Sequence, residues 1–259
     1  MATQNGAFVF SASATSPNLT NISPLFARTV PSDGTQGQAL AQYAVEKGWK
    51  KIAILQETAE YPLSITNAFA DEYTSDKGII IKEEYATLNS DFRTLLLKLR
   101  DQNPDAILFI PASPATATKM INDFKNMSWD IQILGNEMFS GNSEIVVANK
   151  DLFEGAVVAE QRVGPDTPEY IIFRDAYKAR FGEDLLYESY AQAERDLLYI
   201  LRDGLKKYGE DPEKLAAWVR TVKDYQGFSG GITIDSNGDR IGGHVVKIIK
   251  NGRTEAIGN

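Results

Sequence analysis

The sequence predicts an α/β protein built on parallel sheets, because short apolar runs rich in β-branched residues recur with helix-patterned segments between them. Five such runs start 24 to 28 residues apart, a spacing that fits one strand, one loop and one helix. The runs are KIAILQ from Lys51, IIIKEEY from Ile79, AILFI from Ala106, IQILG from Ile131 and GAVVAE from Gly155. We therefore expect a doubly wound domain over residues 26 to 161, with its ligand outside the carboxyl ends of the strands.

The segments between the runs carry helix patterns. In the first, Ser32 or Asp33 can cap a helix whose apolar side chains share one face and which Gly48 ends. A second pattern places apolar side chains at helical spacing over residues 92 to 99. The segment SPATATKMINDFKNM, residues 113 to 127, covers the next crossover.

The pattern changes after Gln161, where three amphipathic helices follow one another without a strand. They are TPEYIIFRDAYKARFG, YESYAQAERDLLYILRDGLKKYG and DPEKLAAWVRTV. The nearby strands, residues 7–10 and 155–160, are too few to cover their apolar faces. We therefore expect a second lobe that is incomplete, with its first elements absent ahead of Met1. The C-terminal GGITIDSNGDRIGGHVVKIIKNG alternates as a two-stranded unit around the turn DSNGD.

Composition excludes several function classes. A net charge of −8 without a basic stripe argues against a nucleic-acid partner. The absence of cysteine and the presence of one histidine, His244, remove thiol nucleophiles, the common triads and most zinc sites. The chain has neither a phosphate-binding glycine loop nor an apolar run long enough to cross a bilayer. We expect no enzyme activity, no cofactor and no metal.

Four segments together resemble the periplasmic solute-binding proteins of the leucine/isoleucine/valine type, which serve ABC transporters. They are SASATSP, ARTVPSDGTQGQALAQYAVEKGWKKIAIL, SDFRTLLLKLRDQNPDAILF and GFSGGITIDSNGD. The resemblance runs from Ala7 to Gly252 and implies the type I fold, two α/β lobes of doubly wound parallel sheets joined by a hinge. Members of that family carry further residues that hold the first elements of the N-terminal lobe, so we expect Met1 to begin a fragment with an incomplete first lobe.

The resemblance also implies a domain organisation. Residues 1–24 are expected to form the partial N-terminal lobe and hinge, 25–160 the complete second lobe, 161–226 the return to the first lobe, and 227–259 a hairpin packing near the hinge and second lobe. The segments 11–23 and 161–166 are the expected hinge.

In that family both lobes hold the head group of an amino acid: hydroxyls and backbone amides take the carboxylate, and an acidic side chain takes the ammonium. The match of SASATSP implies the first role for Ser13, Ala14 and Thr15. The match of ILGNEMFS implies the second for Glu137. Glu137 also directly follows a predicted strand, where the residues alone place a site. A solvated loop glutamate is the alternative.

Two further positions match less completely. Tyr61, followed by Pro62 where the family has glycine, would cover the apolar part of the ligand or only pack on the following helix. Ser113 follows a strand and would contact the ligand, cap the next helix, or do both. Where the family has a Tyr-Asp pair on a later helix, this chain has Arg195 and Asp196. We expect Arg195 to face solvent; if it faces the cleft, the ligand is more polar or acidic than leucine.

The implied function is extracytoplasmic binding of an amino acid or similar small solute, for delivery to the subunits of an ABC permease. The full-length protein is then periplasmic, or lipid-anchored outside the cell, and this chain carries no signal peptide. A ligand-binding sensor domain of a receptor or regulator is the alternative. A hydrolase using Glu137 and Asp33 would need both carboxylates at one substrate bond. Exposed faces of an incomplete lobe also predict a homodimer.

Overall fold

A computed structural model describes residues 3–87, 91–140, 143–185 and 187–257. The chain divides into two compact units: unit 1 comprises Met1–Ser32 and Gln161–Gly243, and unit 2 comprises Asp33–Glu160 and His244–Asn259. The chain therefore passes from one unit to the other three times, after Ser32, after Glu160 and after Gly243.

Short strands and helices alternate through most of the chain. The strands are β1 (Val9–Ser11), β2 (Phe26–Arg28), β3 (Lys51–Glu57), β4 (Ile79–Tyr85), β5 (Ala106–Phe109), β6 (Gln132–Gly135), β7 (Val157–Gln161), β8 (Tyr225–Gly227), β9 (Gly230–Ile232), β10 (His244–Lys250) and β11 (Arg253–Ala256). The helices are α1 (Asp33–Glu46), α2 (Glu60–Glu72), α3 (Arg93–Arg100), α4 (Pro114–Lys125), α5 (Glu144–Ala148), α6 (Lys150–Phe153), α7 (Pro168–Phe181), α8 (Glu188–Tyr208) and α9 (Pro212–Val219).

Unit 2 is built on a seven-stranded sheet in the order β11-β10-β7-β6-β5-β3-β4. Five adjacent strands of this sheet, β7, β6, β5, β3 and β4, correspond to the five predicted runs. Each pairs in parallel with its neighbour. The doubly wound parallel fold is thus confirmed. Because β4 lies on one side of β3 and β5 on the other, the strand order reverses between β3 and β5, the position where such sheets hold ligands.

Alternation along the strands explains why helices cover both faces of this sheet. In β3, Ala53 and Leu55 pack with buried side chains of α3 and α4, whereas Ile52 and Ile54 pack with those of α1 and α2. Gly37 allows the close approach of α1 to α2, since a Cβ there would lie 2.1 Å from the backbone oxygen of Ile65. The sheet is therefore buried on both sides, and its strand ends are left for a site.

The C-terminal strands pair differently from the prediction. β10 lies beside β7 in the large sheet, and β11 is the edge strand. β10 and β11 pair antiparallel through a turn at Asn251 and Gly252, both at positive φ. The turn DSNGD closes only a single bridge between Ile234 and Arg240, while β9 pairs with β8. The predicted pairing around DSNGD was wrong because the chain contains a second Asn-Gly turn, and it is this one that joins two full strands.

In unit 1, β1 and β2 form a short parallel pair, in which Val9 lies opposite Phe26. This pairing places β2 in unit 1, and the segment 11–23, expected as hinge, lies inside the same unit. Ala27 of β2 packs with buried apolar side chains of α8, α9 and β9. Part of the outer helical surface stays exposed, including Ile172 and Leu198.

No helix within the described ranges is long and apolar enough to cross a membrane. In the same ranges, no three His, Cys, Asp or Glu side chains are grouped closely enough to hold a metal ion.

Candidate functional site

Polar side chains gather at the carboxyl ends of the parallel strands in unit 2. Glu57 ends β3, Ser113 follows β5, and Asn136 and Glu137 follow β6. Tyr61 lies in the first turn of α2, directly after β3. Since the carboxyl ends of parallel strands meet at one edge, these five residues share the edge at which the strand order reverses.

Glu137 is a half-buried carboxylate held from two sides. Its Oε1 accepts a hydrogen bond of 2.6 Å from the Tyr61 hydroxyl, and its Oε2 accepts one of 2.6 Å from Gln36 Nε2. Asn136 donates through Nδ2 to the Tyr61 hydroxyl at 3.1 Å and to the backbone oxygen of Pro111 at 3.3 Å. We call Gln36, Tyr61, Asn136 and Glu137 the Glu137 network. Its donors are neutral, so the negative charge of Glu137 is oriented by them but not cancelled.

Tyr61 serves as a donor because its proton is firmly held. Burial raises the pKa of Tyr61 well above its usual range, and the charges of Glu137 and Asp33 raise it further. The predicted contact of Tyr61 with the apolar part of a ligand stays a prediction. The hydroxyl contact with Glu137 is an additional role that the sequence did not indicate.

Ser113 caps α4. Its Oγ accepts from the backbone N–H of Thr116 at 3.2 Å and lies 3.1 Å from the Thr116 hydroxyl oxygen. The capping role expected from the sequence is therefore present. A contact between Ser113 and a ligand stays a prediction.

Glu57 is a second acidic residue at this edge, and sequence reasoning missed it. It is fully buried, and its Oε2 accepts from the Ala112 N–H at 2.8 Å and from the Tyr85 hydroxyl at 3.2 Å. Its Oε1 is buried and has no hydrogen-bond partner among the described residues. Burial and the charge of Glu57 together raise the pKa of Tyr85. Glu57 thus links β4, β3 and the loop after β5.

The first turn of α1 connects the Glu137 network to β7 and β10. Gln36 Nε2 donates to the backbone oxygen of Ala159 in β7 at 2.6 Å, besides its bond to Glu137. One residue earlier, Thr35 Oγ1 lies 2.6 Å from His244 Nδ1, at the start of β10. Burial lowers the pKa of His244 to about 4, so this ring is neutral at physiological pH.

In unit 1, the hydroxyl segment (residues 11–20) turns around the side chain of Ser11. Ser11 Oγ accepts from the backbone N–H groups of Ser13 at 3.3 Å and Ala14 at 3.1 Å. Ser13 is exposed, and Ala14 and Thr15 are half-buried. The backbone N–H groups of Ser13 and Ala14 therefore already donate to a protein oxygen, and their contact with a carboxylate stays a prediction.

Arg28 binds the backbone of the hydroxyl segment, a role that the sequence did not reveal. The fully buried guanidinium donates through one nitrogen to the backbone oxygens of Ala14 at 3.0 Å and Ser16 at 2.9 Å. Its other nitrogens reach Asp239 Oδ1 at 2.7 Å and Thr20 Oγ1 at 2.9 Å. A buried ion pair thus fixes the middle and the C-terminal end of the segment.

Arg195 does not face solvent as expected. Its guanidinium lies between the rings of Tyr199, 3.6 Å from the centroid, and Phe228, at 4.0 Å, and its side chain is 22% exposed. It lies 3.3 Å from a carboxylate oxygen of Asp196, whose own oxygens accept from the backbone N–H groups of Phe228 and Ser229. The prediction that Arg195 faces solvent was wrong because Tyr199, one turn further along the same helix, and Phe228 cover the cation from two sides.

The predicted site residues therefore fall into two groups, one in each unit. Tyr61 and Glu137 are in direct contact, and Ser113 lies at a neighbouring strand end of unit 2. Ser13, Ala14 and Thr15 lie together in unit 1. The functional candidates that sequence reasoning missed are Arg28, Gln36, Glu57 and Asn136; two of them, Arg28 and Gln36, stand within the quoted segment ARTVPSDGTQGQ.

A family model described as periplasmic binding protein matches residues 1–250. No curated protein matches the chain at a level that shows a relationship.

Solved structures match over nearly the whole chain. A leucine-binding protein from Thermotoga maritima has a TM-score of 0.80 at 24% identity, over 96% of this chain and 71% of that protein. An ABC transporter substrate-binding protein from Desulfitobacterium hafniense in complex with Leu has a TM-score of 0.75 at 26% identity, over 98% and 74%. A solute-binding protein of an ABC transporter from R. palustris in complex with benzoate has a TM-score of 0.77 at 19% identity, over 99% and 72%.

Proposed function

The chain belongs to the periplasmic binding protein family, and on that premise we propose that it binds an amino acid or a similar small solute for delivery to the permease of an ABC transporter. In this proposal Glu137 takes the ammonium group of the solute. Ser13, Ala14 and Thr15 take its carboxylate. Ligand contacts then shift the population of conformers toward the form that the permease recognises.

The observation that carries the proposal is the hydrogen bonding of the Glu137 carboxylate. Each oxygen accepts one hydrogen bond from a neutral protein donor, and a carboxylate has room for about four in all. Both described donors to this half-buried negative charge are neutral. Such a charge favours an ammonium ion, because the pair forms partly away from bulk water. The complex of the D. hafniense protein with Leu supports an amino acid as the solute.

The hydroxyl segment suits the opposite end of such a ligand. Hydroxyl and backbone N–H donors disperse the charge of a carboxylate without a direct countercharge. The ion pair of Arg28 with Asp239 holds the Ala14 backbone oxygen and so fixes the shape of the segment. Tyr61 and Ser113 complete the proposed site, the ring of Tyr61 against the apolar part of the solute and the Ser113 hydroxyl beside it.

We infer from family membership that the chain works outside the cytoplasm and does not catalyse a reaction. Ligand-dependent stimulation of ATP hydrolysis by a reconstituted permease encoded with this chain would support the transport role. Turnover of amides or esters by the purified protein, abolished by Glu137→Gln, would contradict the inference that it only binds.

A homodimer through unit 1 is the proposed assembly. Three large apolar side chains on α7 and α8 are exposed: Ile172 at 69%, Phe181 at 57% and Leu198 at 55%. In the proposed dimer a second copy of the chain covers them. Light scattering of the purified chain tests this: twice the mass of the chain supports a dimer, and a compact monomer contradicts it.

A thermal-shift screen tests the function directly. The proteinogenic amino acids and benzoate are added one at a time to the chain, and a ligand that binds only the folded state raises the unfolding midpoint. We expect an amino acid to raise it. Glu137→Gln should then weaken binding by about 2 kcal/mol or more, roughly thirtyfold. The control Glu144→Gln, an exposed carboxylate in the first turn of α5, should leave the affinity unchanged.

A further inference from the structure

Gln36 is a buried neutral side chain that bonds the candidate ligand carboxylate directly. It lies in the first turn of α1 and is almost completely buried, with 1% of its surface exposed. Its Nε2 donates two hydrogen bonds of 2.6 Å, one to Glu137 Oε2 and one to the backbone oxygen of Ala159. Its Oε1 is buried and has no partner among the described residues.

These contacts fix the orientation of the Gln36 amide. Glu137 Oε2 and the Ala159 oxygen are both acceptors, so the amide nitrogen must face both of them. Rotating the amide by half a turn would place its oxygen against two other oxygens. The orientation leaves Oε1 without a donor, an arrangement that costs free energy and is rare in folded proteins. The bonds to Glu137 and Ala159 thus set which way the amide faces, although Oε1 then has no partner among the described residues.

Gln36 and Tyr61 bond different oxygens of the Glu137 carboxylate. The Tyr61 hydroxyl holds Oε1, and Gln36 holds Oε2, so the plane of the carboxylate is set at both atoms. Gln36 is itself fixed to β7 through Ala159, which is fully buried. A carboxylate set in this way keeps one accepting position on each oxygen for a third group.

We propose that Gln36 is a positioning residue for ligand recognition: it fixes the Glu137 carboxylate so that both of its oxygens present a free accepting position to an ammonium group. This inference rests on the proposed function, in which Glu137 binds the ammonium of the solute. Gln36 itself does not touch the ligand. It reduces the reorganisation that Glu137 would otherwise undergo on binding.

The first test needs no ligand. In a 15N–1H NMR spectrum, the two side-chain amide protons of Gln36 are assigned as the pair that disappears in Gln36→Met. We expect Glu137→Gln to shift this pair. The control Gln56→Met removes another buried glutamine of unit 2, one that bonds Glu57 and Thr66, and should leave the pair unchanged. A Gln36 pair that does not respond to Glu137→Gln overturns the contact.

The second test measures binding of an amino acid that raises the unfolding midpoint, together with its des-amino analogue. A positioning role predicts that Gln36→Met lowers the affinity for the amino acid roughly tenfold or more, the scale seen for residues that orient a binding group. The affinity for the des-amino analogue should stay unchanged. Equal weakening of both compounds overturns the proposal, because a merely structural defect would affect them alike. Gln36→Asn keeps the amide but withdraws it by one methylene, and it should behave like Gln36→Met.

The outcomes separate the two proposals. If no amino acid binds the wild-type chain, the proposed function fails and the recognition role of Gln36 fails with it. If an amino acid binds but the Gln36→Met and Gln36→Asn variants bind it like wild type, the function stands and the positioning role is overturned. If both variants fail to fold, the Gln36 amide pair is assigned in wild type from through-bond connectivities to its own backbone. A pair that does not respond to Glu137→Gln then overturns the positioning role, because that role requires the contact.

Discussion

The two groups of candidate binding residues are held in place by different physical means. In unit 1, the hydroxyl segment is anchored by a buried charge, since Arg28 bonds its backbone oxygens and pairs with Asp239. In unit 2, Glu137 is itself the charge and is oriented by the neutral side chains of Gln36 and Tyr61.

The difference teaches which end of a zwitterion each unit suits. The hydroxyl segment offers hydroxyl donors and its anchoring cation is already paired with Asp239, so it suits an anion through its donors. A carboxylate held by neutral donors favours a cation. Substitutions in the two regions should also have different effects. Loss of the anchoring charge should destabilise unit 1, whereas loss of one neutral donor should change recognition in unit 2 more than stability.

The largest expected effect comes from removing the anchor. Arg28→Met leaves Asp239 buried without its partner and should lower the free energy of unfolding by about 3 to 5 kcal/mol. The control Arg174→Met breaks the exposed pair with Asp166 in the same unit and should cost less than about 1 kcal/mol. Urea unfolding followed by circular dichroism measures both. Equal effects would show that the buried pair does not anchor the segment.

A pH dependence should appear in unit 2 through His244. Its pKa in the folded chain is about 4, below its ordinary value of 6.5, so the unfolded chain binds a proton that the folded chain does not. The stability contribution is fully present above pH 6.5 and declines as the pH falls toward 4, by up to about 3 kcal/mol. His244→Gln should flatten this part of the pH profile. Because the chain has one histidine, NMR titration reads it directly, and an ordinary midpoint near 6.5 would refute the prediction.

Tyr61→Phe tests whether neutral donors tune recognition. The change removes one hydrogen bond to the Glu137 charge and should weaken amino-acid binding by about 1.5 kcal/mol, roughly tenfold. Tyr73→Phe serves as the control, since it removes a hydroxyl that bonds the backbone oxygen of Trp49. Calorimetric titration compares the two, and an unchanged affinity in Tyr61→Phe would remove Tyr61 from the account of recognition.

The smallest effect concerns Ser113. Ser113→Ala removes the cap of α4 and should lower the free energy of unfolding by about 1 kcal/mol. Ser143→Ala removes the equivalent cap of α5 and should do the same. If Ser113 also contacts the solute, Ser113→Ala alone weakens binding in the same titrations. Unchanged affinity in both variants would make Ser113 a cap and nothing more.

The sequence predicted what depends on local pattern. The five parallel strands of unit 2 and the helix from Asp33 follow from the periodicity of neighbouring side chains, and these elements formed as expected. The pairing of β2 with β1, and of β10 with β11 instead of across DSNGD, depends on partners that periodicity does not identify.

The sequence could predict a site residue where that residue directly follows a predicted strand. Glu137 follows a strand end, and its role was inferred from the resemblance and from that position. Gln36 and Arg28 could not be assigned roles, because their partners lie 101 and 211 residues away in sequence. A buried polar residue in a helix or strand pattern gives no indication of what it bonds until the fold brings the partner near.

One measurement tests the central claim that unit 2 binds the ammonium end of the solute. Calorimetric titration compares wild type with Glu137→Gln, using an amino acid that raises the unfolding midpoint and its des-amino analogue. The account predicts that wild type strongly prefers the amino acid and that Glu137→Gln abolishes the preference. A wild-type chain that binds the des-amino analogue or benzoate as tightly, with affinity unaffected by Glu137→Gln, would contradict it.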